Sequence, residues 1–114
     1  MNATDWILLY DYYGDLLTER QKECFELRYN QDLSLGEIGM ELGISRQGVH
    51  DNLARTEALL KNMEAKTGLV KRDIRCRKAA KAIRNAALSM NGHKDAQVAA
   101  FVAEILAVVQ ELEE

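Results

Sequence analysis

The sequence predicts an all-α fold, and three observations carry that prediction. No proline occurs in 114 residues, so no ring breaks a helix from within. The chain is rich in Ala, Leu, Glu, Lys and Arg, which lose little freedom on entering a helix. Apolar residues recur at steps of three and four, punctuated by residues that cap or stop helices. With 47% apolar residues the chain can bury one real core, and a second independent domain does not fit comfortably.

Each element can be justified in order. Met1–Leu17 reads as one helix with Trp6, Leu9, Tyr10, Tyr13 and Leu17 on its apolar stripe. Asn2 or Thr4 caps its start and Gly14 loosens its end. Trp6, Tyr10 and Tyr13 are expected as core or interface anchors, and Asp5, Asp11 and Asp15 as an acidic solvated face. Thr18 and Gln21 form a capping box, in which each side chain satisfies a backbone N–H of the other. The helix they open carries Cys24, Phe25 and Leu27 and ends in the turn chemistry of Asn30-Gln31-Asp32. Ser34 and Glu37 form a second box, before a short helix with Leu35, Ile38 and Leu42. Gly43 then reads as a left-handed stop, and Ser45 as the cap of the next helix.

That next helix runs from Arg46 to about Thr67. Its Val49, Leu53, Thr56, Leu60 and Met63 are spaced four, three, four and three, a seam that could continue past the domain core. Gly68 stops it. Leu69–Met90 follows, with Cys76, Ala79, Ala80, Ile83, Ala87 and Met90 on one stripe, and Asn91-Gly92 breaks it. Asp95 caps a last helix with Val98, Phe101, Val102, Ile105, Val109 and Leu112, apolar nearly all round and so expected to be buried on more than one side.

Charge is distributed unevenly. The net charge is −3, yet residues 66–94 hold 9 Lys and Arg against 1 Asp, while residues 95–114 hold 5 acidic residues and no basic one. The cations lie along one helix: Lys71, Arg72, Arg75, Arg77, Lys78, Lys81 and Arg84. Such a stripe is the footprint of a phosphate-backbone binder. Docking on the acidic helices, or plain solvation, is the other reading. The segment has no aromatic residue, which argues against stacking on unpaired bases.

Other classes find little support. Met1–Tyr13 has neither a basic start nor a small-residue cleavage site, so it is not read as a leader. The apolar run Ala96–Val109 is too short for a membrane span. Cys24 and Cys76 form no paired motif, which suggests a reduced cytoplasmic setting with both as packing residues. His50 and His93 stand apart from them, so no metal, cofactor or catalytic constellation is expected and the protein is not read as an enzyme.

The strongest motif spans Ser34 to about Leu60: a capped short helix, a tight turn and a second capped helix. This is a helix-turn-helix, in which the second helix presents its N-terminal residues to a groove. Together with Leu17-Thr18 and Leu27-Arg28-Tyr29, the run Leu35-Gly36-Glu37-Ile38-Gly39, Leu42-Gly43-Ile44-Ser45-Arg46 resembles region 4 of bacterial sigma factors. Across residues 4–66 a closer resemblance is to the YlxM family, carried by Leu16-Leu17-Thr18, Gln21, Leu33 to Ile38, Ser45 to Asn52 and Arg55-Thr56-Glu57. That family comprises small bacterial helix-turn-helix proteins encoded beside the signal recognition particle genes. The resemblance implies a sigma-region-4-like fold and a cytoplasmic accessory or regulatory role in that pathway, with the particle's RNA or proteins as partners.

Two function classes remain in view. In the first, the protein binds nucleic acid, either DNA or the particle's RNA. Arg46, Gln47, His50 and Arg55 then position or read, and Lys71, Arg72, Arg75, Lys78, Lys81 and Arg84 hold phosphates. Asp51 and Glu57 oppose phosphates and leave the second helix near neutral. In the second, the motif is a scaffold that docks a protein without nucleic acid. Residues 1–67 form the helix-turn-helix domain. Residues 68–114 form an extension that belongs to the same compact unit or to a dimer interface. A homodimer is expected, because the long helix's seam and the last helix both need cover.

Overall fold

The computed structural model describes residues 1–114 as six α-helices with no strand. They are α1 (Ala3–Tyr13), α2 (Glu19–Tyr29), α3 (Leu35–Leu42), α4 (Arg46–Thr67), α5 (Leu69–Ser89) and α6 (Ala96–Glu113). The chain forms two compact units, Met1–Val70 and Lys71–Glu114.

Three helix starts in the first unit carry full capping boxes. Thr18 with Gln21 and Ser34 with Glu37 are as expected from sequence. The third joins Asn2 and Asp5, so Asp5 is a cap rather than only part of an acidic face. The expected single helix over Met1–Leu17 divides instead. After Tyr13 the chain tightens into a 3₁₀ turn over Gly14–Leu16, and the Leu17 N–H donates to the Gly14 carbonyl at 3.0 Å. The tightening brings Leu17 into the core and leaves Leu16 exposed. Gly14 lies against the Tyr10 ring, where a Cβ would come within 3.1 Å.

Two apolar clusters hold the unit. Trp6, Leu9, Tyr13, Leu17, Phe25, Leu60 and Val70 form one, with Met63 packed at its edge. Phe25 stacks on Tyr10 at 4.4 Å between ring centroids. Cys24, Leu27, Ile38, Val49 and Leu53 form the other. Helix α4 contributes to both, so it is the spine of the unit. Its buried seam is Val49, Leu53, Thr56 and Leu60, as the spacing predicts. Thr56 is fully buried and satisfies its hydroxyl on the Asn52 carbonyl at 3.0 Å. The seam does not run on beyond the core. Leu60 and Met63 are covered by Trp6, Tyr13 and their neighbours, so this stripe needs no second chain.

Hydrogen bonds tie the helices together. Tyr10 donates to Glu26, Tyr29 to Glu57 and Tyr13 to Glu64, at 2.6–2.7 Å. Burial, then the adjacent carboxylate, pushes all three phenols above their usual range. Arg20 and Arg28 of α2 donate to the Leu42 and Leu33 carbonyls, fastening both ends of α3.

The second unit is a helical hairpin with a thin seam. Ala80, Ala87, Val102 and Val109 are its buried residues. Of the stripe expected on α5, only Ala80 and Ala87 are covered; Cys76 is exposed and so is not a packing residue. Helix α6 is not buried on more than one side. Phe101, Ile105, Val108 and Leu112 are 42–65% exposed, because one neighbouring helix covers one face of a cylinder and no more. No helix is long and apolar enough to cross a membrane.

The turn between α3 and α4 generates a stability prediction. A Cβ at Gly39 would sit 2.7 Å from the Ile44 carbonyl oxygen, a backbone atom that cannot swing away. Gly39→Ala is therefore expected to destabilise the first unit by about 1–3 kcal/mol. Gly36→Ala, on the same helix with only Ser34 Oγ at 3.9 Å, should stabilise it by up to about 1 kcal/mol through helix propensity. Urea midpoints of the two variants, moving in opposite directions, check this.

Candidate nucleic-acid interface

The interface is assembled from the turn outward. Gly43 ends α3 with φ +71°, a left-handed conformation that suits glycine. Ile44 then donates its N–H back to the Gly39 carbonyl at 3.0 Å. Ser45 caps α4 by accepting from the Gly48 N–H at 2.9 Å, with no acidic partner to close a box. Ile38, Val49 and Leu53 bury the inner faces of the two helices. This fixes Arg46 and Gln47 as the first two residues of α4, exposed where backbone N–H groups and the helix dipole favour anions.

The structure brings together three of the four residues assigned to this helix. Arg46, Gln47 and His50 line one groove of about 330 Å³ with Leu35. A second groove of about 220 Å³ shares Leu35 and His50 and adds Arg28, Tyr29, Leu53, Ala54 and Glu57. Arg55 does not join them. It lines a separate groove of about 500 Å³ with Gln21, Ala58, Leu59 and Asn62. A step of five residues from His50 to Arg55 turns the helix by more than a quarter of its circumference, which explains the split.

Asp51 lies at the centre of this exposed face. Its carboxylate accepts from Gln47 Nε2 at 2.9 Å and lies 3.3 Å from His50 Nδ1. These hydrogen bonds, from Gln47 first and His50 second, hold its carboxyl below the usual Asp range, with Arg55 adding a weaker pull. Two of the expected readers are therefore organised by an acid on their own helix. The spacing Gln47, Asp51, Arg55 was legible as an i, i+4 ladder. Glu57 plays a different part from the one expected, since it accepts from Tyr29 at 2.6 Å and braces α4 against α2. Leu35 and Arg28 are lining residues that the sequence pattern did not single out, because they come from other helices.

In the second unit, Lys71, Arg72, Arg75, Lys78 and Lys81 are exposed along α5. Arg84 departs from this set. It is half-buried, and its Nε lies 3.7 Å from a Glu113 oxygen, so it pairs with the acidic tail rather than standing free for phosphate.

The family model for UPF0122, helix-turn-helix proteins like YlxM and p13, matches residues 2–99. The chain belongs to this family. The match runs through α5 into α6, well beyond residues 4–66, whose motifs carry the resemblance. A UPF0122 protein of Thermoanaerobacter sp. (strain X514) is 60% identical over 65 residues, 57% of this chain and 56% of the relative. One from Desulforamulus reducens is 59% identical over 63 residues, 55% of this chain and 54% of the relative. These alignments span little more than half the length of the relatives they match. One from Geobacillus kaustophilus is 41% identical over 97 residues, covering 85% of this chain and 87% of the relative.

The Asp51 contacts predict a pH dependence. Folding lowers the Asp51 pKa, so the contacts are in force above the ordinary Asp range and are lost as pH falls through the lowered value. In an NMR titration, Gln47→Ala should move the Asp51 midpoint upward, toward the usual Asp value. An unchanged midpoint would show that the Gln47 bond does not hold the carboxylate.

Proposed function

We propose that this UPF0122 protein is a nucleic-acid-binding accessory or regulatory protein of the bacterial signal recognition particle pathway, with RNA as its preferred ligand. The observation that carries this reading is the groove of Arg46, Gln47 and His50 at the capped N-terminus of α4. These side chains offer hydrogen-bond donors that suit base edges and phosphates, on a helix braced from behind by a buried core. The exposed α5 cations supply the sequence-independent attraction that the near-neutral α4 face lacks.

Asp51 favours RNA over duplex DNA. A carboxylate in the middle of a reading face opposes the regular rows of phosphate that flank a duplex groove. In a loop whose bases are splayed out, the same carboxylate can accept from a base amino group. The competing reading, a protein-docking scaffold, draws on the pairing of Arg84 with Glu113, which shows that α5 also serves contacts to carboxylates.

The test is titration of the purified full chain against signal recognition particle RNA and a random DNA duplex of equal charge, at two salt concentrations. RNA should bind more tightly, with affinity falling steeply as salt rises. Arg46→Ala should weaken RNA binding by about tenfold, equivalent to roughly 1–2 kcal/mol. Lys78→Gln with Lys81→Gln should lower the salt slope by about two. Absence of binding to either ligand at low salt would overturn the proposal and leave the motif as a protein-docking scaffold.

A further inference from the structure

Two grooves meet on the exposed side of α4. Leu35 and His50 line both the groove that holds Arg46 and Gln47 and the smaller one beyond it, of about 220 Å³. Three helices close the smaller groove. The end of α2 gives Arg28 and Tyr29, the first residue of α3 joins them, and one face of α4 gives His50, Leu53, Ala54 and Glu57. Its apolar wall is in place before any ligand arrives. Leu53 belongs to a buried cluster. The Tyr29 ring is held against Phe25, 4.5 Å between centroids, and its hydroxyl donates to Glu57 Oε1 at 2.6 Å. Ala54 is exposed and small, which keeps the groove open on the α4 side. The aromatic surface that α5 lacks is therefore present here, beside the residues assigned to phosphate and base edges.

We propose that this groove takes one unpaired guanine of the RNA, with the neighbouring phosphate in the groove of Arg46 and Gln47. The inference rests on the nucleic-acid reading above and adds to it a base and a place for that base. The groove is smaller than the roughly 300 Å³ at which pockets for whole ligands begin, so it suits a single planar ring. An aromatic ring set among aliphatic carbons is the surface on which an unstacked base packs. The polar side chains select which base. Tyr29 uses only one acceptor site of the Glu57 carboxylate. Arg28 spends part of its donor fork on the Leu33 carbonyl at 3.0 Å and keeps the rest. Guanine offers paired donors, N1–H and the N2 amino group, to a carboxylate, and paired acceptors, O6 and N7, to a guanidinium. Adenine and cytosine bring a carboxylate one amino group each, and uracil one ring N–H. A base paired and stacked within a duplex cannot enter, so the groove distinguishes a loop from a helix.

The test titrates the full chain at low salt with short oligouridines whose central nucleotide is guanosine, adenosine, cytidine, uridine or an abasic ribose. The guanosine oligomer should bind about tenfold tighter than the abasic one and tighter than the other three. Ala54→Leu fills the groove with a good helix former at an exposed position, so the thermal midpoint should hold. It should bring the guanosine oligomer down to the affinity of the abasic one. Glu57→Gln keeps an acceptor for Tyr29 but removes the charge, and should shrink the preference for guanine. Signal recognition particle RNA is titrated in parallel. Where that RNA binds, three results overturn the guanine groove alone: no binding of the oligomers, equal affinity or a preference for another base, and a guanine preference that survives Ala54→Leu. Failure of that RNA to bind overturns the nucleic-acid reading, and the groove's assignment with it.

Discussion

The reach of the Ile44 carbonyl over Gly39 is the constraint on which the first unit depends. Only a residue without a Cβ lets the backbone after α3 pass so close to α3 itself. That approach makes the Ile44 to Gly39 hydrogen bond possible, and it sets the angle at which α4 leaves the turn. The angle in turn brings Val49 and Leu53 onto Ile38 and Cys24, closing the second apolar cluster. Ser45 and the first turn of α4 then have one orientation. A methyl group at position 39 would push on the turn, and through it on every exposed side chain that α4 presents.

Helix α4 links that turn to the rest of the unit. Its first half belongs to the cluster with Ile38, and its second half, through Leu60 and Met63, to the cluster with Trp6 and Phe25. The tyrosine–glutamate bonds run along the same axis. Tyr29 holds Glu57 and Tyr13 holds Glu64, so two acids on α4 that would otherwise add negative charge to its surface are engaged with neighbouring helices. Asp51 is the carboxylate left on the exposed face of the first turns, and it is engaged too, by Gln47 and His50. A face built this way is preorganised, because its donors are held by a fixed acceptor before any ligand arrives.

Much of this was legible in the sequence, and the physical reasons are specific. The boxes at Thr18–Gln21 and Ser34–Glu37, the stop at Gly43 and the seam from Val49 to Leu60 are local rules acting within a few residues. The errors came where a neighbour decides. The break after Tyr13 falls at Gly14, which lies against the Tyr10 ring, a contact that apolar spacing does not state. The exposure of Cys76 and of one side of α6 depends on how many helices surround them, which periodicity does not state. Arg55 and Arg46 are both basic residues of one helix, yet helical phase sends Arg55 to another groove. In sequence Arg84 is one more cation of a stripe, and only the fold places Glu113 beside it.

The proposed phosphate binding has to be reconciled with a chain that is acidic as a whole. At physiological ionic strength a charge is felt over about 8 Å, roughly a turn and a half of helix. A net charge of −3 therefore says little about any one patch. What matters is the local segregation, with Lys78 and Lys81 on α5 distant in sequence from the acids of α1 and α2. In the proposed role the two units divide the work. The α4 groove, balanced in charge by Asp51, supplies discrimination and little affinity. The α5 cations supply affinity and no discrimination.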